Sequence, residues 1–172
     1  MDEQVVIEEY NADWPRMYEQ EKIDLIKVFN DKNVVIEHFG STSIKGLKAK
    51  PILDIMVAVR DLEEVDKYIR PLEKLGYEYV EHKEFPNRRF FRKGARRAGT
   101  HHLHVYKYNS GEWNNKILFR DYLRTHPAEL SQYARLKKVL AEKYKYDRPA
   151  YTKAKEPFIQ EVIKKANGVS QK

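Results

Sequence analysis

The most strongly patterned stretch of the chain is residues 34–59, VVIEHFGSTSIKGLKAKPILDIMVAV. Two apolar runs rich in β-branched residues flank a polar segment that opens Gly-Ser-Thr-Ser. Such runs predict strands over 34–39 and 52–59, with Pro51 at the entrance of the second, where it removes no central ladder bond. Upstream, an extended start over 5–7 precedes Trp14, Tyr18, Leu25, Ile26 and Phe29, which fall near helical spacing. Asp13 is placed to cap that helix, Pro15 lies in its first turn, and the Asn/Asp content of 30–33 ends it in a turn. Leu62, Val65, Ile69, Leu72 and Leu75 mark a second amphipathic helix, closed by Gly76 in the position of a left-handed cap.

From Tyr77 the period shortens, and strands are predicted over 77–80, 88–93 and 103–108, the last two joined as a hairpin through 94–99. Everything after Gly111 reads as helix. Its three apolar faces are Leu118, Phe119, Tyr122 and Leu123; Leu130, Tyr133, Leu136 and Leu140; and Phe158, Ile159, Val162 and Ile163, ending near Gly168. The expected architecture is α+β, a mixed sheet with flanking helices and a helical C-terminal third. With 172 residues, 41% of them apolar, the chain suits a single domain over 1–172, an α/β core over 1–110 followed by helices over 111–172.

Composition narrows the function. No run of about 18 uncharged apolar residues is present, so no membrane helix is expected. The acidic start MDEQVVIEEY lacks the order of a secretory signal, which makes a cytoplasmic location the default. Having no cysteine excludes disulfides, thiolate nucleophiles and Cys-zinc sites. The net charge of +7 sits in one place: between Lys83 and Lys107 there are eight Lys or Arg and one acid, Glu84, and the remainder is neutral. Within it, Asn87-Arg-Arg-Phe-Phe-Arg-Lys93 interleaves charge with aromatic rings. That pattern suits capture of nucleotide phosphates, with Arg89 as a candidate ligand, or, as a second partner class, a nucleic-acid backbone. An edge strand whose charges discourage pairing has the same composition.

Two stock phosphate motifs are absent. Gly40 to Gly46 is one residue too long for a P-loop and has Leu47 where that loop needs lysine; no G-x-G-x-x-G occurs. Ser41 is not in a G-x-S-x-G elbow, which argues against a serine hydrolase. What remains is Gly40-Ser41, twelve residues, then Asp54-Ile-Met56-Val. This resembles the signature of the nucleotidyltransferase superfamily. The resemblance implies that Gly40 lets the backbone approach a triphosphate, that Ser41, Thr42 and Ser43 bind phosphate oxygens, and that Asp54 holds a divalent metal. Carboxylates at i and i+2 of a strand share a face, roughly 6.6 Å apart. Here Met56 stands in the second position, so Asp54 needs help from elsewhere. A salt bridge of Asp54 with Lys50 or an arginine is the structural alternative.

His102 and His104 share a face of their strand, as metal-binding imidazoles would. Beside Asp54 they would complete a two-His-one-carboxylate site suited to Mn, Fe or Zn rather than Mg. Otherwise they donate to phosphate, move a proton, or pack. His101 and His126 are assigned to the surface. Taken with HFGSTSIKGLKAKPILDI, the run Phe119-Arg-Asp-Tyr-Leu-Arg124 and Tyr133, Lys137, Tyr151 and Lys155, the His-Leu-His element is similar to the GrpB family over nearly the entire chain. That family implies a nucleotidyltransferase-like fold and occasional fusion to dephospho-coenzyme A kinase.

The expected site therefore has Asp54, His102 and His104 as catalytic and metal-binding residues. Gly40, Ser41, Thr42, Ser43, Lys50, Arg89, Arg120, Lys137 and Lys155 bind the phosphates. The cofactor is a divalent metal (Mg, Mn or Zn), and the partner is a nucleotide or phosphorylated small molecule. Arg120 with Arg124, Tyr133 with Lys137 and Tyr151 with Lys155 are each one helical turn apart and so share a face. Met56 keeps a second reading open, a non-catalytic binding or folding-assistance module.

Overall fold

The two apolar runs and the three later ones become five strands, β1 (Val35–Phe39), β2 (Leu53–Val59), β3 (Tyr77–Val80), β4 (Arg88–Ala95) and β5 (Ala98–Lys107). They form one sheet in the order β1-β2-β5-β4-β3, in which β2 and β5 run parallel and every other pair is antiparallel. The structure, a computed structural model, describes residues 4–30, 33–95 and 98–169. Among the described residues five α-helices accompany the sheet: α1 (Trp14–Phe29), α2 (Ile69–Lys74), α3 (Gly111–Thr125), α4 (Pro127–Lys143) and α5 (Arg148–Val169).

The sequence LDIMVAV of β2 is almost wholly apolar because both of its faces are covered. On one face Ile55 and Val57, with Ile36, Phe91, Leu103 and Val105 of neighbouring strands, pack on Leu25 and Phe29 of α1 and Leu72 of α2. On the other, Met56 and Ala58 pack with Phe39, Tyr106 and Trp113 of α3. A third cluster joins the helices to the segment after β1: Ile44 and Leu47 meet Leu123, Tyr133 and Val162. The C-terminal helices are thereby anchored to the polar segment between β1 and β2, and a cleft is left between them and the sheet.

Several local expectations change. Asp13 is the N-cap residue of α1 but its side chain caps nothing; its own N–H donates to Asn11 Oδ1 (2.8 Å) and its carboxylate pairs with Arg16. The predicted helix over 62–75 is a 3-10 segment, Glu63–Tyr68, followed by the short α2. Pro71 explains the break, since it has no N–H to continue a helical ladder from upstream. Gly76 does close α2 with a positive φ of 88°. The β4–β5 hairpin pairs as expected but is longer, with Ala95 opposite Ala98; its tip, residues 96 and 97, lies outside the described residues, as do 31 and 32 of the turn after α1.

Candidate functional site

In the parallel pair β2–β5, Asp54 stands directly beside His102, and Met56 beside His104. Side chains at alternate positions share a face, so Asp54, His102 and His104 converge on the cleft side of the sheet. His102 Nδ1 lies 3.4 Å and His104 Nε2 3.8 Å from Asp54 Oδ1. One ligand atom from each residue can be chosen so that all three lie within 4.8 Å of one another. Donors sharing a tetrahedral ion with bonds of about 2.1 Å are roughly 3.4 Å apart, so the carboxylate–imidazole spacings fit a divalent ion. Asp54 keeps 29% and His102 31% of its side-chain surface open to the cleft, which leaves a route in. Aromatic rings hold the imidazoles in place: Phe39 and Phe90 stand 5.1 and 5.0 Å from the His104 ring, and Phe90 5.2 Å from that of His102.

β1 delivers the Gly-Ser turn to the same point, because Phe39, its last residue, pairs with Asp54. Gly40 adopts φ 70°, ψ −173°, a region essentially reserved for glycine. A Cβ there would sit 2.6 Å from Asp54 Oδ2. The glycine therefore admits the carboxylate as well as any ligand. Ser41–Ser43 then form a 3-10 turn whose hydroxyls have different fates. Ser41 Oγ faces the cleft and accepts from Lys137 Nζ (2.7 Å). Thr42 is buried with its hydroxyl 2.9 Å from His38 Nε2. Ser43 Oγ donates to the Gly40 carbonyl (2.6 Å), so it closes the turn and is not a cleft residue.

The cleft has two compartments that meet at Phe39, Ser41, Asp54, Thr152 and Lys155. The smaller, about 380 Å³, holds both histidines, Lys50, Lys137, Arg148 and Tyr151. The larger, about 530 Å³, extends under α3 and is lined by Arg88, Tyr106, Lys116 and Phe119 among others. Of the expected phosphate ligands, Gly40, Ser41, Thr42, Lys50, Lys137 and Lys155 gather here. Arg89 does not: it pairs with Val105 and belongs to the opposite side of the sheet, its guanidinium held by the carbonyl of Pro86. Arg120 reaches the larger compartment, but its guanidinium is committed to Glu37 (2.7 Å), Asp121 (2.8 Å) and the His38 carbonyl (2.9 Å). With Arg124, which donates to the Ser43 carbonyl (2.8 Å), it braces β1 and the Gly-Ser turn.

His101, expected at the surface, is instead buried on the far side of the sheet, 3.7 Å from Glu21, which Lys93 also holds. His126 is half-buried, stacked on Tyr122. The basic stretch likewise divides. Arg88 and Arg92 share the face of His102 and His104, while Arg89 and Lys93 take the other. Three cleft cations, Arg88, Lys116 and Arg148, were absent from the expected set. Arg88 lies one residue from Arg89, so only the strand register separates them. Lys116 precedes Arg120 by one helical turn, which is the spacing that could have found it.

Charges in the cleft perturb one another. Burial pushes the Asp54 carboxyl up, but hydrogen bonding and the nearby charge of His102 and His104 outweigh it and hold the group well below the usual carboxylate range. Burial lowers His104 to about 4 despite the attraction of Asp54, so its imidazole is neutral at neutral pH, the form that binds a metal. Lys137 is lowered to about 7 by burial, with Lys155 and Lys50 adding to it and Asp54 opposing. Lys155 and Lys116 are also lowered, by burial first, and Asp54 opposes both shifts.

A mixed sheet carrying a Gly-Ser turn and an aspartate on the next strand is the frame of a nucleotidyltransferase-like fold. The solved structures agree: Cid1 poly(U) polymerase, with Mg 3'-dATP bound, superposes with a TM-score of 0.57 at 14% identity, over 86% of this chain and 49% of that one. A likeness at that identity bears on the fold alone. The GrpB protein family profile matches residues 4–165, and the chain belongs to that family. The crystal structure of GrpB from Enterococcus faecalis matches with a TM-score of 0.86 at 34% identity, covering 97% of this chain and all of the other. Glutamate-rich protein GrpB of Alkalihalophilus pseudofirmus is 37% identical over 164 residues, 93% of this chain and 94% of that protein. A dephospho-CoA kinase of Mycobacterium leprae is 26% identical over 165 residues, and the match spans 40% of that protein's length. No described helix is long and apolar enough to cross a membrane.

Proposed function

We propose that the cleft binds a nucleotide or other phosphorylated small molecule together with a divalent metal, and that it supports nucleotidyl or phosphoryl transfer. The observation that carries this reading is the convergence of Asp54, His102 and His104 within 3.8 Å of the Asp54 carboxylate oxygen, beside the Gly-Ser turn. In this reading Asp54 and the two imidazoles hold the ion, which when bound would neutralise phosphate charge as a Lewis acid. Two nitrogens and one carboxylate favour Mn or Zn over Mg. Ser41 and the turn's backbone seat phosphate oxygens. Lys137 and Lys155, both in the smaller compartment, neutralise the leaving group as its phosphorus–oxygen bond breaks and the bond to an acceptor oxygen forms. Calorimetric titration of ATP with Mn²⁺, Zn²⁺ or Mg²⁺ into the wild type and into Asp54→Ala tests it. Binding that needs metal and is lost in the variant supports the site; identical isotherms remove Asp54 from it.

A second reading has a specific observation behind it. Met56 is fully buried in the cluster with Trp113, so the position of a second carboxylate is part of the core. Together with the similarity to a dephospho-CoA kinase, this favours a nucleotide-binding module that does not turn its ligand over. Release of phosphate or pyrophosphate from nucleoside triphosphates separates the two: ligand binding with no release, under every metal, leaves only the binding module.

A further inference from the structure

The larger compartment contains two cations whose charge is held by rings rather than by carboxylates. The Arg88 guanidinium lies 4.6 Å from the centre of Phe85 and 5.5 Å from that of Phe90. Among the described residues its buried Nε has no hydrogen-bond partner, and the Tyr106 hydroxyl is a polar neighbour of the guanidinium. The Lys116 ammonium stands 5.4 Å over the Phe39 ring. Among the described residues neither forms an ion pair, although Glu112 and Glu156 stand in the same wall. Lys116 is repelled by Arg88 and drawn to Asp54, Glu112 and Glu156, and Lys155 adds a third positive charge where the compartments meet. Like charges brought together in a partly desolvated space are costly unless an anion joins them. Aromatic faces keep both side chains in position without neutralising them.

We propose that this compartment is a second anion subsite, in which Arg88 and Lys116 seat a phosphate group of a second small-molecule substrate beside Asp54. Its volume of about 530 Å³ suits a molecule of metabolite size, and the half-buried Phe119 offers apolar surface to the rest of it. Only the term "second substrate" rests on the reading of the smaller compartment as a nucleotide site; the anion subsite stands on its own residues. The basic stretch around residues 83–107 then has a local purpose, because its register presents Arg88 to the cleft.

The test is calorimetric titration of inorganic phosphate and of glycerol 3-phosphate, with and without saturating Mn²⁺ and a non-hydrolysable ATP analogue. The proteins are wild type, the double variant Arg88→Gln/Lys116→Gln, the charge-keeping variant Lys116→Arg, and Lys137→Met as a control in the other compartment. The expected result is phosphate binding that persists when the analogue is bound, weakens at least tenfold in the double variant, and stays within threefold in Lys116→Arg. Analogue affinity should change less than threefold in the double variant. Phosphate binding that is absent, is equal in wild type and a folded double variant, or is displaced by the analogue overturns the subsite. If the analogue itself does not bind, the proposed nucleotide site fails, while the dependence of phosphate binding on Arg88 and Lys116 is still read from the titrations without it. Melting curves establish that the double variant is folded; should it not be, Lys116→Gln alone gives the same reading with a smaller expected loss of about threefold.

Discussion

Gly40 and Asp54 occupy each other's space: the glycine Cα faces the carboxylate so closely that a Cβ would lie 2.6 Å from Oδ2. The turn and the aspartate, two halves of the site, are thus fitted to one another before any ligand arrives. Gly40→Ala must either move the Asp54 side chain or relax φ from 70°. A loss of about 1–3 kcal/mol in stability is expected, read from denaturant midpoints. Adding Asp54→Ala to that variant removes the closest contact and leaves only the Asp54 Cβ, 3.1 Å away, so the double variant should be more stable than the sum of the two single losses requires. Strict additivity would show that the contact is not the source of the strain.

Position 56 separates a ligand role from a core role. Met56 is fully buried, and Met56→Leu should cost less than about 1.5 kcal/mol. Met56→Asp, which would supply the missing carboxylate, is expected to cost roughly 3–5 kcal/mol, because the buried charge would stand between Glu37 and the neutral His104. Stability restored to the wild-type level by added Mg²⁺ would contradict this and make the position a latent metal ligand.

Arg120 is expected to act as a brace. Replacing it with methionine strips Glu37 and the His38 carbonyl of their donor and should cost about 1–3 kcal/mol. Nucleotide affinity of the folded variant should stay within threefold of wild type. A much larger loss of affinity, with little loss of stability, would place Arg120 on the ligand.

Acid should weaken the fold between pH 6.5 and 4. Burial lowers His38 to about 4, Asp54 opposes, and Arg124 and Arg120 add to the shift. In that interval the unfolded chain binds a proton at this histidine and the folded chain does not, so stability falls as pH falls. A shift of this size corresponds to roughly 3 kcal/mol across the interval. His104 contributes in the same direction. Denaturant midpoints over the range should show the slope, and His38→Gln should flatten it. An unchanged slope would mean His38 is not the titrating group.

Alkali should weaken nucleotide binding through Lys137. Its ammonium is lowered to about 7 in the free protein; a bound phosphate would raise it, so binding near pH 8 takes up a proton and loses strength as pH rises. Binding enthalpies in two buffers of different ionisation enthalpy should reveal the uptake. It should vanish in Lys137→Met. Uptake of the same size in that variant would assign the proton elsewhere.

The sequence made the elements legible but not all of their relations. Glycine, serine and the lone Asp54 between apolar runs marked half of the site, and the alternation of a strand put His102 and His104 on one face. Their meeting depends on β5 lying parallel beside β2, a long-range pairing that no local pattern specifies. The choice of Arg88 over Arg89 depends on a one-residue register for the same reason. His101 was readable in part: by alternation it had to face away from His102, and Glu21 of α1 gives it a buried partner there. Ser43 and Arg120 look like ligands in sequence because hydroxyls and guanidinium groups serve turns and anions equally well. Only their partners, the Gly40 carbonyl and Glu37, assign them to the frame.

In the proposed site Asp54, His102 and His104 hold one divalent ion. Crystals grown with Mn²⁺ and a non-hydrolysable ATP analogue, measured for anomalous scattering, test it directly. One strong peak is expected about 2.0–2.3 Å from an Asp54 oxygen and from a nitrogen of each histidine, with analogue phosphates reaching towards Ser41. A nucleotide bound in the cleft with no anomalous peak at these three side chains, or with the ion elsewhere, would contradict it.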